Sequence, residues 1–129
     1  MERNLVATGI IERDAANDCL PVWSYPAVAS EVESVAIDRS MLKDIASDGA
    51  KTIISHFGDQ WLYQRTVVSK AKELTAVTHF SIWVLAKDFH PELYTGLVEV
   101  LEATYQTKGS PIDVLQAYRP GPPGAFNQP

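Results

Sequence analysis

A chain of 129 residues, 46 % hydrophobic and 21 % charged, has the size and balance of one globular domain that buries a core without staples. Its single cysteine, Cys19, excludes an intramolecular disulfide and fits a reducing compartment. The net charge of −5, with eleven scattered basic residues of which Lys70 and Lys72 are the densest pair, excludes phosphate-neutralising nucleic-acid binding and counts against direct contact with anionic lipid.

Near the start, Glu2, Glu12, Asp14 and Asp18 are the wrong charges for a signal or transit peptide. No apolar run approaches the ~18 residues that span a bilayer. The expected chain is therefore cytoplasmic. The first element is the β-branched segment Leu5 to Arg13, followed by the turn-forming cluster Asp14 to Asp18 and a second extended run, Cys19 to Tyr25. Together they predict a β-hairpin. Pro21 has no N–H for a ladder, so the second strand belongs at a sheet edge or carries a bulge.

Pro26 stops that strand and suits the first turn of a helix. Val28, Val32, Val35 and Ala36 recur at helical spacing, with Glu31, Glu33 and Ser34 on the other face. Ser40 to Ile45 reads either as a continuation or as a separate turn. Two strands follow, Thr52 to Phe57 and Trp61 to Val68, joined by a tight turn at Gly58-Asp59. Ala76 to Ala86 is almost continuously apolar, as a strand covered on both faces must be, and is placed at the sheet centre.

His90-Pro91-Glu92 predicts a helix start, with proline at the first position and an acid near the positive end of the dipole. Leu93, Leu97, Val100, Leu101 and Thr104 are expected to form its inner stripe. Lys108-Gly109 predicts its stop, with glycine in a left-handed cap. Ser110 as cap and Pro111 then open a last helix bearing Ile112, Val114, Leu115 and Tyr118. From Arg119 on, proline and glycine dominate, so residues 119–129 are expected to be an irregular tail or linker behind a domain at 1–118. The order β-β-α-β-β-β-α-α gives an α+β domain: a five-stranded, mostly antiparallel sheet with helices on both faces.

Candidate chemistry is sparse. His56, His79 and His90 lack the i, i+4 spacing of a zinc site, and Cys19 has no neighbouring base. His79, in the central strand, could act as a pH-sensitive switch, against the plainer reading of a satisfied structural histidine. Asp88, His90 and Glu92 make an acid-His-acid string that resembles a general acid/base group, against the simpler reading of strand end, helix cap and dipole partner. There is no phosphate-cradling loop motif. The expectation is no catalytic residue, no metal and no cofactor, and no enzyme in this chain alone.

The aromatic residues say more. Trp23, Tyr25, Phe57, Trp61, Tyr63, Phe80 and Trp83 all fall on predicted strands, most of them for the core. A strand from Thr52 to Phe57 at a sheet edge would expose backbone donors and acceptors. Trp61 and Tyr63 share one face of the next strand. Phe57, Trp61 and Tyr63 are therefore the candidate partner-binding residues, by strand addition or by docking of a helix.

Several segments resemble the longin, or upstream DENN, module of the small DENN-domain proteins. Val77 to Ile82 with Ala86-Lys87-Asp88-Phe89 is similar to the last longin strand of that family. Lys108-Gly109-Ser110-Pro111 with Tyr118 is similar to its helix junction, and Gly9 to Asp14 with Val22 to Pro26 to its amino-terminal hairpin. The resemblance implies a trafficking module packed against a larger DENN lobe, with a Rab guanine nucleotide exchange surface shared between the two. It further implies a Rab-family GTPase or a trafficking scaffold, such as a coiled-coil sorting assembly, as partner, and peripheral association with endosomes. With only the first lobe present, no exchange by this chain alone is expected. The rival expectation is a free-standing longin- or roadblock-like adaptor that pairs with itself or a similar domain through an edge strand.

Overall fold

The computed structural model describes residues 4–46 and 49–119. The order is β1 (Leu5–Asp14), β2 (Cys19–Tyr25), α1 (Ser30–Ser40), β3 (Ala50–Phe57), β4 (Gln60–Val68), β5 (Val77–Ala86), α2 (Pro91–Lys108) and α3 (Pro111–Tyr118). The five strands form one sheet in the order β2-β1-β5-β4-β3, every neighbouring pair antiparallel. β5 thus lies at the centre, and its residues from His79 to Ala86 are all buried. This is an α+β fold in a longin-like arrangement.

Two-residue alternation sorts the sheet into two cores. Ile10, Tyr63, Phe80, Ile82 and Val84 meet Tyr94, Val98, Leu101 and Tyr105 of α2 and Val114 and Tyr118 of α3. On the opposite face Ala7, Ile11, Leu62, Trp83 and Leu85 pack with Ala36 of α1 and with Leu42. Each large side chain buried this way contributes roughly 1.5–3 kcal/mol. Gly9 makes room for Trp83, because a Cβ there would lie 2.3 Å from the indole ring.

The α1 face also carries polar ties. Gln64 donates to the Ala36 carbonyl at 2.9 Å, fixing β4 to α1. Arg13 donates to the Leu42 carbonyl at 2.6 Å and, at 3.3 Å, to the Thr78 hydroxyl. Thr66 and Ser81 bond hydroxyl to hydroxyl at 2.8 Å within the buried sheet. Such links fix the helix over one register, while Gln64 Oε1 and His79 Nε2 are buried on the same face without a hydrogen-bond partner among the described residues.

Several expectations change in detail. α1 begins at Ser30 rather than at Pro26, since Ala29 is still extended (φ −63°, ψ 150°) and Val28 reaches the core from the connection. The helix ends at Ser40, whose hydroxyl donates to the Ile37 carbonyl and accepts the Leu42 N–H. Met41 then turns left-handed, and Asp44 N–H closes the following turn on the Met41 carbonyl. Ser110 precedes α3 without a side-chain cap.

The inner stripe of α2 is also shifted. Tyr94, Val98, Leu101 and Tyr105 face the sheet, whereas Leu93 and Val100, expected inside, are exposed. Tyrosines at 94 and 105 win the inner positions because they bring large apolar rings whose hydroxyls find partners at the core margin. The glycine stop is as expected: Gly109 is left-handed at φ 62°, with its N–H on the Tyr105 carbonyl. On the last helix Ile112 is exposed while Val114 and Tyr118 are buried. Pro21 sits on an edge strand that is also bulged, between its pairing with Ile11 and that of Trp23 with Ile10. The tail from residue 120 onward lies outside the described residues.

Candidate interaction surface

The acid-His-acid string resolves into a corner between β5 and α2. Tyr63 donates its hydroxyl to the Asp88 carbonyl at 2.9 Å and accepts the His90 N–H at 2.8 Å. Tyr94 donates to the Asp88 carboxylate at 2.6 Å. His90 is the residue before the helix and makes no side-chain cap bond, and Glu92 lies in the first turn. Asp88, Tyr63 and Tyr94 thus secure the entry of α2 onto the sheet. Cys19 is half-buried, and burial raises its thiol above the ordinary value of 9.0, against thiolate formation. His79 is buried beneath the α1 face, with Nδ1 3.1 Å from the Thr78 hydroxyl. Among the described residues no three His, Cys, Asp or Glu converge on a metal site.

The three aromatic candidates do not form one surface. Tyr63 is 0 % exposed, held between its hydroxyl partners and the Tyr94 ring, and offers nothing to a partner. Phe57 lies on the α1 face, half-buried against that core. Trp61 lies on the α2 face, pairs in register with His56 and stays partly accessible.

Around Trp61 the structure assembles a short aromatic row. The His56 and Trp61 rings are 4.4 Å apart and tilted by 55°. Trp61 and Phe89 are 4.5 Å apart and tilted by 51°. Phe89 is 56 % exposed. One residue pair along the same face, Ile54 lies opposite Tyr63 and is itself exposed. Among the described residues the row is open because α2 lies over β4 and β5 and leaves the α2 side of β3 uncovered: Thr52, Ile54 and His56 are all exposed. Aromatic side chains held by mutual packing lose little freedom on binding and make efficient interface anchors.

Ile54, His56 and Phe89 were not singled out by sequence reasoning. The available signal for Phe89 is its place directly before His90-Pro91, since a side chain ahead of a helix start sits beyond the strand it left. Leu93 and Val100 on α2 and Ile112 on α3 form further exposed apolar positions on the outer helix faces. No helix among the described residues is long and apolar enough to cross a membrane.

No family model matches the chain. It is 36 % identical over 115 residues to DENN domain-containing protein 10 of Danio rerio, covering 88 % of this chain and 33 % of that protein. It is 31 % identical over 115 residues to the Mus musculus protein of the same name, 88 % of this chain and 32 % of the other. With the Dictyostelium discoideum protein of that name it shares 24 % over 124 residues, 83 % of this chain and 33 % of the relative. The chain therefore spans about one third of the length of the curated relatives it matches. This similarity along nearly the whole chain relates it to the DENN domain-containing proteins, matched over a third of their length.

Proposed function

We propose that this chain is a protein-interaction module of membrane trafficking, acting as one lobe of a DENN-type regulator of Rab-family GTPases at endosomes. The observation that carries the reading is the similarity to DENN domain-containing protein 10 along 88 % of the chain. The aromatic row at Trp61 and Phe89, beside an open strand edge, supports it by supplying a surface suited to a protein partner. The reading assigns it the holding of a GTPase or of a trafficking scaffold, and the part it matches is a third of those relatives. It reaches the endosomal surface through such partners rather than by inserting into lipid.

The test is capture of a panel of Rab-family GTPases, each nucleotide-free, GDP-loaded and GTP-loaded, on the immobilised chain. The reading expects selective retention of one or a few, with Trp61→Ala and Phe89→Ala each weakening it about ten-fold or more. Phe57→Ala serves as a comparison from the opposite face. Retention of no GTPase, or equal retention by wild type and both variants, would remove the reading or this surface from it.

A further inference from the structure

The two margins of the sheet are built differently. β2 is broken by Pro21, which has no N–H, and by the bulge beside it, so no regular strand can pair along its length. β3 has eight residues, no proline and no bulge. Its hairpin with β4 turns through Gly58 at φ 63° and Asp59, so Phe57 and Gln60 form the hydrogen-bonded pair that flanks a two-residue turn. By alternation the N–H and C=O groups of Ser55, Ile53 and Lys51 point to β4, and those of His56, Ile54 and Thr52 point outward. Among the described residues one of these outward groups is met: Arg39, in the last turn of α1, donates to the His56 carbonyl at 2.5 Å. Among the described residues no strand lies beyond β3.

We propose that β3 is a strand-addition site that takes an extended apolar segment of another protein flanked by acidic residues. The apolar demand comes from Ile54 and from the neighbouring Trp61 and Phe89 rings on the same face. The acidic demand comes from charge. In a chain of net charge −5, the β3 margin carries Lys51 on the strand, Arg39 beside Ser55 and His56, and Arg65 against Thr52. Of these, Arg65 already faces Glu102 at 3.6 Å.

A second copy of this chain fits the margin less well. Antiparallel self-pairing centred on Ile54 would set Lys51 of one copy opposite Phe57 of the other, about 7 Å along the strand from the Ser55 position that Arg39 occupies. Like charges would then meet on the α1 face of both halves, within one Debye length. An acidic flank turns the same positions into attractive pairs.

The inference deepens the interaction-module reading and names its mode of recognition. It is tested with the full chain and fluorescein-labelled nonapeptides of alternating valine and threonine, flanked either by glutamates or by lysines. The acid-flanked peptide is expected to bind about ten-fold or more tightly than the lysine-flanked one. N-methylation of alternate peptide amides should abolish binding in one register and leave it intact in the other, because one edge of an added strand bonds to β3. Lys51→Glu should narrow or reverse the flank preference. Equal binding of both flanks, indifference to N-methylation in both registers, or no saturable binding would overturn the proposal. A dimer in sedimentation that Ile54→Lys dissolves would overturn it in favour of a second copy. GTPase capture that succeeds while the acid-flanked peptide fails sinks the strand-addition site alone; peptide binding without GTPase capture sinks the GTPase reading alone.

Discussion

The hydroxyl of Tyr63 sits between the Asp88 carbonyl, 2.9 Å away, and the His90 N–H, 2.8 Å away, so one buried phenol on β4 fastens both sides of the corner where β5 becomes α2. Asp88 and the backbone of His90, two of the three residues that look most like catalytic machinery in the sequence, are in this way used by the architecture. Tyr63→Phe keeps the ring and leaves an N–H and a carbonyl without their partner. A loss of about 1–3 kcal/mol is expected, seen as a lower denaturation midpoint at unchanged slope.

Gly9 and Gly96 should respond in opposite directions. A Cβ at Gly9 would overlap the Trp83 indole at 2.3 Å, in a core that cannot yield by that much, so Gly9→Ala should destabilise by about 1–3 kcal/mol or more. A Cβ at Gly96 meets nothing within 4 Å in the middle of α2, and Gly96→Ala should stabilise by about 0.5–1 kcal/mol. Chemical denaturation of the two variants checks both signs.

Stability should fall in alkali. Burial, followed by the hydrogen bond and the charge of Glu12, raises the Tyr105 phenol well above its ordinary 10.0. Burial likewise raises Tyr63, and it raises the Cys19 thiol above 9.0. Each group holds its proton in the folded chain at a pH where the unfolded chain has released it. Their contribution is therefore complete below about pH 9 and is lost as pH rises through the ordinary values towards the folded ones. Melting temperatures across that range should decline, and Tyr105→Phe should flatten the decline while lowering stability at neutral pH.

Phe89→Ala should leave stability within about 1 kcal/mol of wild type, because the ring is more than half exposed and rests on Trp61 alone among the described aromatic contacts. Trp61→Ala should cost more, since Trp61 also packs against the α2-side core. A loss of partner binding in Phe89→Ala with an unchanged melting temperature would separate a binding role from a structural one.

The elements were legible in the sequence where one periodicity governed them. The unbroken apolar run of β5 marks a strand buried on both faces, and Pro21 marks an edge. The Lys108-Gly109-Ser110-Pro111 junction marks the break between α2 and α3. The inner face of α2 was less legible, because Leu93, Leu97 and Val100 compete with Tyr94, Val98 and Tyr105 for the same helix. Only the tertiary partners Asp88 for Tyr94 and Glu12 for Tyr105 decide in favour of the tyrosines. The start of α1 at Ser30 is not legible at Pro26, because proline suits both a helix start and an irregular connection. The candidate surface was half visible: Trp61 follows from alternation, but its row with Phe89 joins residues 28 positions apart and depends on where α2 lands.

Hydrogen exchange along the sheet margins tests the central claim most directly, that the molecule meets its partners at β3. In the free chain the N–H groups of Thr52 and Ile54 should exchange rapidly while those of Ile53 and Ser55 are protected by β4, and a bound GTPase or acid-flanked peptide should slow Thr52 and Ile54 without altering β2. Protection of Thr52 and Ile54 in the free chain, or slowing confined to β2 or the outer faces of α2 and α3, would contradict it.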